Sequence, residues 1–384
     1  MERFDAIVIG TGGMGAAALM HLAARGARVC GLDRFPPGHD RGSSHGQTRL
    51  IRLAYFEHPD YVPLLRRAYE LWHELEAATE SPLLVESGLL MAGPADGEVV
   101  AGAVASAAIH SLPIDRMTSR EAMARWPSIR LPEAWTAVHE ARGGYLFVED
   151  CVRAHAAEAV RLGARIEHDA AVRCWRTVEH DGGEGHVVVE TDKGSYAADT
   201  LVVTPGAWAA DLLQLPSLPL RVLRKSLFWY QPEAADRRDH TAGSLPCFAF
   251  DGPTGFFYGF PALDDRGVKI AEHTGGTPVA DPLTVDRAID VGERARVEAV
   301  LAAHLPGVCG PLTEHAACLY TMSPDGHFVV GLHPRHARVA VAAGFSGHGF
   351  KFASVMGEIL ADLVLDGKTA HPIGFLSPDR FGKG

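Results

Sequence analysis

Near its start the chain passes from a continuous apolar run, Ala6-Ile7-Val8-Ile9, into a glycine-rich break at Gly10-Thr11-Gly12-Gly13-Met14-Gly15. A β-branched run without polar alternation belongs to a strand covered on both faces, so a buried parallel strand is predicted. From Ala16 to Arg25, Leu19, Leu22 and Ala23 share one helical face, and Gly26 supplies a stop. Arg28 to Leu32 predicts a second strand ending at Asp33, which completes a βαβ unit within the first 33 residues.

Helical periodicity returns over Tyr61–Ala77 and Glu149–Leu162, and Thr118-Ser119-Arg120-Glu121 has the spacing of a capping box opening a short helix that stops near Pro127. Strand-like runs are predicted at Val172–Val178, His186–Glu190 and Thr200–Val203. Between about Pro219 and Cys318 the pattern changes to alternating aromatic runs, Ser226–Tyr230 and Phe256–Phe260, with Pro and Gly turns, as in a largely antiparallel lobe. Val339–Ala343 is again a buried-strand run, followed by Gly344-Phe345-Ser346-Gly347-His348-Gly349 and a helix over about 351–365. The expected fold is therefore α/β with an antiparallel β lobe, in which a Rossmann-type dinucleotide domain is interleaved with a mixed-sheet substrate domain.

Of 384 residues, 47% are apolar and 22% charged, so a disordered chain is excluded. The 36 Lys+Arg against 47 Asp+Glu leave a net charge of −11, which argues against a nucleic-acid partner. No apolar run approaches the roughly 18 residues of a membrane span. Six cysteines without C-x-x-C spacing suggest neither a disulfide framework nor a zinc site, and no metal is expected. With no signal-peptide pattern ahead of the first strand, a cytoplasmic location is the expectation.

Gly10, Gly12 and Gly15 form G-x-G-x-x-G between strand and helix. One glycine makes the turn, one admits a pyrophosphate to the backbone, and one lets helix and strand pack closely. Asp33, 23 residues beyond Gly10, is placed to accept hydrogen bonds from a ribose. The fingerprint alone does not separate FAD from NAD. The Gly344–Gly349 run lacks the glycine two places after Ser346 that a nucleophile elbow needs, so it reads as a second close backbone approach to a flat or anionic ligand. His333 and His336 have no metal partners nearby in sequence and are expected at the surface. Arg49 and Arg52, three apart, are either part of a solvated loop or face one cavity and bind anions.

The cluster His45-Gly46-Gln47-Thr48-Arg49-Leu50-Ile51-Arg52 resembles the corresponding loop of monomeric sarcosine oxidase and its relatives, N-methyltryptophan oxidase and pipecolate oxidase. Four further segments match in order and spacing from Phe4 to about Phe381. They are Phe257-Tyr258-Gly259-Phe260-Pro261, Val268-Lys269-Ile270 with His273, Cys318-Leu319-Tyr320-Thr321 with Pro324-Asp325, and Gly344 through Phe352.

That resemblance implies an oxidase of secondary amino acids, sarcosine-type N-methyl compounds and cyclic or bulkier ones. FAD would be attached as an 8α-S-cysteinyl thioether through Cys318. It further implies that Arg52 and Lys351 hold the substrate carboxylate and that Lys269 stands near flavin N5 and promotes reaction with oxygen. His45 and Arg49 would lie against the flavin, and Tyr258, His273 and Tyr320 would line the substrate cavity. Thr48, Gly347, Gly349 and Lys351 join the first three glycines and Asp33 as cofactor contacts. The partners implied are a small secondary amino acid and O2, with peroxide as product, and the chain is expected to be a monomer.

This sequence departs from the family at Ser44, Gln47, Gly326 and Gly331, and at Ala249, where the sarcosine enzyme carries a bulkier Met over the substrate. A smaller side chain there predicts a larger cavity and a wider substrate range. The FAD domain is expected from 1–85, 145–218 and 320–384, and the substrate domain from 86–144 and 219–319. Two other readings stay open at this point: an NAD-dependent dehydrogenase and a non-catalytic flavin-binding subunit.

Overall fold

The computed structural model describes residues 2–180 and 183–382; the other positions of the expected domain segments lie outside the described residues. The first large sheet is built as the apolar runs predict. Strands Arg165–Glu167, Val29–Leu32, Arg3–Ile9 and Ser195–Val203 lie side by side and parallel. Ser195–Val203 then divides its free edge: its first half pairs antiparallel with Gly183–Thr191, and its second half pairs parallel with His336–Ala343. The two segments from opposite ends of the chain, 3–9 and 336–343, thus belong to one sheet.

Helices Gly13–Ala24, Val62–Thr79, Val148–Arg161 and Ala353–Asp366 pack beside this sheet. Their apolar faces share one core that includes Leu19, Trp72, Cys151 and Ile359. Each begins within three residues of the expected start. The capping box also forms: Thr118 accepts from the Glu121 amide, and the Glu121 carboxylate accepts from Thr118 N–H.

The second large sheet is mostly antiparallel. Its order runs Thr277–Pro278, Arg221–Tyr230, Val268–Glu272, Gly255–Phe260, Cys247–Gly252, Leu89–Pro94, Trp135–Glu140, Asp115–Thr118. The pair Cys247–Gly252 with Leu89–Pro94 is parallel. Leu312–Met322 lies along the full length of Arg221–Tyr230, and its last residue bridges to Phe345 in the C-terminal glycine run. A small third sheet, Thr48–Ile51 with Gly144–Phe147 and Leu84–Val85, stands between the two large ones in sequence.

Two long helices were not anticipated: Glu98–His110, rich in Ala with little polar alternation, and Val291–His304, capped by the Asp290 side chain on the Glu293 amide. The expectation for His333 is corrected. It is buried, with Nε2 3.1 Å from the Leu213 carbonyl and its ring edge-on to Trp175, while half-buried His336 also stands edge-on to that indole, 4.8 Å from the His333 ring.

Candidate active site

One long cavity starts at the end of strand Arg3–Ile9, where the chain goes one way to Val29–Leu32 and the other to Ser195–Val203. Such a switch point leaves a crevice beyond the carboxyl ends of parallel strands, the usual place for a nucleotide. The empty space, counted out to the mouth, is about 1890 Å³.

Gly10 and Gly12 line this end, and a β-carbon on Gly12 would meet nothing within 4 Å. Gly15 lies behind the wall. A β-carbon there would sit 1.7 Å from the Gly10 carbonyl oxygen, so its glycine serves the helix–strand approach. Helix Gly13–Ala24 has no side-chain cap, which leaves first-turn N–H groups available to an anion. Asp33 lines the cavity and accepts from the amides of Thr11 (2.5 Å) and Phe35 (3.0 Å), so the carboxylate is fixed.

The inner end is built on the loop read as His45–Arg52. Gly46 and Gln47 take positive φ (88° and 71°), and the turn is held from both sides. Glu149, at the start of its helix, accepts from both amides, while Lys269 Nζ donates to the carbonyls of Gly46 and Thr48 and to Thr48 Oγ1. Lys269 and Thr48 therefore stand one layer behind the cavity surface; burial, and then Arg49, push the Lys269 ammonium well below the ordinary lysine range.

Arg49 does line the cavity. Its Nη1 donates to the Thr48 carbonyl, and its Nη2 donates to the Ser43 carbonyl and lies 3.1 Å from Cys318 Sγ. Burial by itself raises a thiol, but Arg49 and then His45 outweigh it and hold Cys318 at about 6, where the thiolate dominates at neutral pH. His45 and Cys318 are buried directly behind Arg49, and His45 Nε2 has no partner among the described residues.

Arg52 follows the end of its strand. The amides after it, Leu53 and Ala54, donate to the buried Glu140 carboxylate at 2.7 and 2.8 Å, which fixes the chain as it turns. The guanidinium lies 4.6 Å from the ring centres of Tyr55 and Phe56. Only Nη2 contacts Glu57, at 2.6 Å to both oxygens, and Nε has no acceptor among the described residues. Lys351 Nζ donates to the His348 carbonyl at 2.6 Å, 5.1 Å from the Tyr55 ring centre. Burial and Arg52 lower Lys351 well below the usual lysine range, and Glu57 opposes them. Glu57 itself is raised by burial but pulled down to about 2 by Arg52, His348 and Lys351.

Opposite stands an uncharged polar wall. Tyr258 Oη is 3.4 Å from Tyr320 Oη, which is 3.4 Å from His273 Nδ1; burial pushes His273 down to about 3, so the imidazole is neutral. The backbone of Gly347 lies against the Tyr320 ring, where a β-carbon would come within 2.2 Å, and Gly349 packs beside Phe345; both line the cavity. Ala249 does not. It pairs with Tyr258 across two strands and is buried with Met91, behind the wall rather than on it.

Glu57 is the charged wall residue of the inner chamber that escaped the sequence reading, and the side chains of His348 and Phe256 had been given no role there. Glu57 lies five residues past Arg52, and no local pattern marks it as that arginine's partner. Among the described residues, no three His, Cys, Asp or Glu side chains are placed to hold a metal, and no helix is long and apolar enough to cross a membrane.

A switch-point crevice with an uncapped helix start at one end and buried cations at the other defines a two-lobed dinucleotide-binding protein with an anion-seeking inner chamber. The open space at Gly12 and, on the cavity wall, the unpartnered Arg52 Nε and Thr321 Oγ1 fit a large polar occupant. The chain belongs to the FAD dependent oxidoreductase family, whose model matches residues 5–363. It is similar to the monomeric sarcosine oxidase of Streptomyces avermitilis, 41% identical over 386 residues that cover 98% of this chain and 97% of that one. The N-methyl-L-tryptophan oxidase of Salmonella dublin is 38% identical over 370 residues, 96% of each chain. Glycine oxidase from Geobacillus kaustophilus shares the fold, with a TM-score of 0.81 at 24% identity over 99% of each chain. The motif-based resemblance and the expected fold class are both borne out.

Proposed function

We propose that this protein is an FAD-dependent oxidase of secondary α-amino acids, sarcosine-type N-methyl compounds and cyclic or bulkier ones. The observation that carries the reading is the clustering of basic side chains on the inner chamber: Arg49, Arg52 and Lys351 all line it, and among the described residues Glu57, paired with Arg52, is the one carboxylate within salt-bridge distance of any of the three. Arg52 keeps donor capacity that Glu57 does not use, and an incoming substrate carboxylate would restore the charged form of Lys351, so such a carboxylate is the natural complement of this chamber. Arg52 offers a planar fork and Lys351 a point charge, and together they fix the amine end beside the cofactor.

The groups that would hold FAD are Gly10, Gly12 and Asp33 at the nucleotide end and Arg49, Gly347 and Gly349 nearer the ring, with His45 and Thr48 supporting them from one layer behind. Bound FAD would supply two-electron oxidation of the carbon beside the amine nitrogen, with O2 as final acceptor and H2O2 as product. The imine then hydrolyses, sarcosine giving glycine and formaldehyde. Arg49 supplies fixed positive charge at the chamber, and Tyr258, Tyr320 and neutral His273 exclude water without adding a competing charge. The low pKa of Cys318 supports a thioether tether there. The two sheets favour division into an FAD lobe from 1–85, 145–218 and 320–384 and a substrate lobe from 86–144 and 219–319. We assign the protein to the cytoplasm as a monomer.

The test is a peroxide assay over sarcosine, larger N-methyl amino acids, L-proline and L-pipecolate, with the flavin checked by acid precipitation. Peroxide from this panel and colour retained in the precipitate are expected. A colourless protein with the mass of the bare chain, after expression with riboflavin, would sink the reading. Strong preference for sarcosine over all the others would sink the wider substrate range.

A further inference from the structure

Lys225 is buried on strand Arg221–Tyr230, directly across from Cys318 and diagonal to Tyr320. Its Nζ uses three donors on three successive carbonyls: His273 at 2.9 Å, Thr274 at 2.6 Å and Gly275 at 3.1 Å. The same nitrogen stands 5.3 Å from the Tyr320 ring centre. The chain leaving strand Val268–Glu272 is thus folded around one ammonium. Gly276, at φ +114°, completes the wrap, because a β-carbon there would come within 3.0 Å of Lys225 Cδ. Nothing in the charge arrangement described above uses this lysine, yet it touches the supports of both His273 and Tyr320.

We propose that Lys225 is a positioning residue: its ammonium caps the 273–275 turn and thereby sets the His273–Tyr320–Tyr258 wall against which the substrate is held. Three charge-assisted hydrogen bonds to one turn make an anchor that a neutral side chain cannot reproduce. The groups facing the ammonium are Glu272 from the same sheet, Glu293 and Arg296 from helix Val291–His304, and Cys318 and Tyr320 from Leu312–Met322. Burial, against the pull of Glu272 and Glu293, lowers the lysine to about 8. The charge that holds the turn is present below that pH and lost above it.

Two measurements on the flavin-loaded protein test this, and only the second rests on the oxidase reading. Hydrogen exchange of a peptide covering 268–280, corrected for intrinsic rate, should show protection that falls as pH rises through about 8 in the wild type. In Lys225→Met and Lys225→Gln that protection should be about tenfold lower at pH 7 and independent of pH, with Lys225→Arg keeping it at pH 9. The same neutral variants should raise KM more than they lower kcat and lose the alkaline limb near 8. Unchanged protection in both neutral variants overturns the proposal. So does loss of flavin or global unfolding in both, which would make Lys225 merely structural. If the wild type oxidises no secondary amino acid yet the exchange pattern holds, the substrate reading fails and the anchor stands.

Discussion

Arg52→Met is the most discriminating change at the inner chamber. The guanidinium is buried, stacked between Tyr55 and Phe56, and bound to Glu57 through Nη2 alone. Removing one partner of a buried hydrogen-bonded charge pair costs about 2–5 kcal/mol. In a substrate complex that would be a loss of roughly thirty-fold to a few thousand-fold in kcat/KM, at 1.4 kcal/mol per tenfold. Two features favour the low end. Lys351 remains as a second cation, and part of Arg52's attraction is already spent on Glu57, so about thirty- to a hundredfold is expected. The assay is steady-state oxidation of an N-methyl amino acid beside an N-methyl amine of similar size without the carboxylate. Only the first should suffer in Arg52→Met, with Arg52→Lys intermediate because a point charge replaces a fork. Equal losses for both substrates, or no loss for either, would refute the carboxylate role.

Arg49→Ala should return Cys318 from about 6 toward or above the ordinary thiol range, since burial then acts with less opposition, and covalent flavin incorporation at neutral pH should slow, as followed by acid-precipitable colour. Cys318→Ser should bind flavin that acid releases completely. Lys269→Met should leave substrate-driven flavin reduction comparatively intact while slowing reoxidation by O2 in stopped-flow traces; normal reoxidation would assign Lys269 only to clamping the Gly46–Thr48 turn. Glu57 is depressed from 4.5 to about 2 in the fold, so the stability it contributes is present above 4.5 and lost as pH falls toward 2. That is worth about 3 kcal/mol at 1.36 kcal/mol per pKa unit. Glu57→Gln should therefore flatten the acid limb of denaturant-derived stability, and an unchanged slope would count against the ion pair.

The nucleotide end of the cavity was legible because its determinants are local: β-branched runs, three glycines and an acid all lie within the first 33 residues. The inner chamber was legible only in part. Arg49 and Arg52 do face one cavity, but a strand alternates sides at every residue, and i and i+3 converge only because the strand ends at Ile51 and the Glu140 carboxylate turns the chain. Glu140 is 88 residues from Arg52, and nothing near either announces the contact. Ala249 fell one layer short because neighbouring strands, not sequence matches, decide which residue reaches the cavity. His333 was misplaced for the same reason, since Trp175 and Leu213, which bury it, are remote in the chain. Helix Glu98–His110 went unseen because an Ala-rich stretch carries little period to detect.

Strand Leu312–Met322 is zipped to the second sheet along its length, and its tip is pinned to the loop that leaves the first sheet, by the Met322–Phe345 bridge and the Ser346 amide on the Thr321 carbonyl. A rod continuous with one sheet and pinned at its tip to the loop leaving the other couples the strand that carries Tyr320 to the loop that carries Gly347, so a shift of either is passed directly to its neighbour across the chamber.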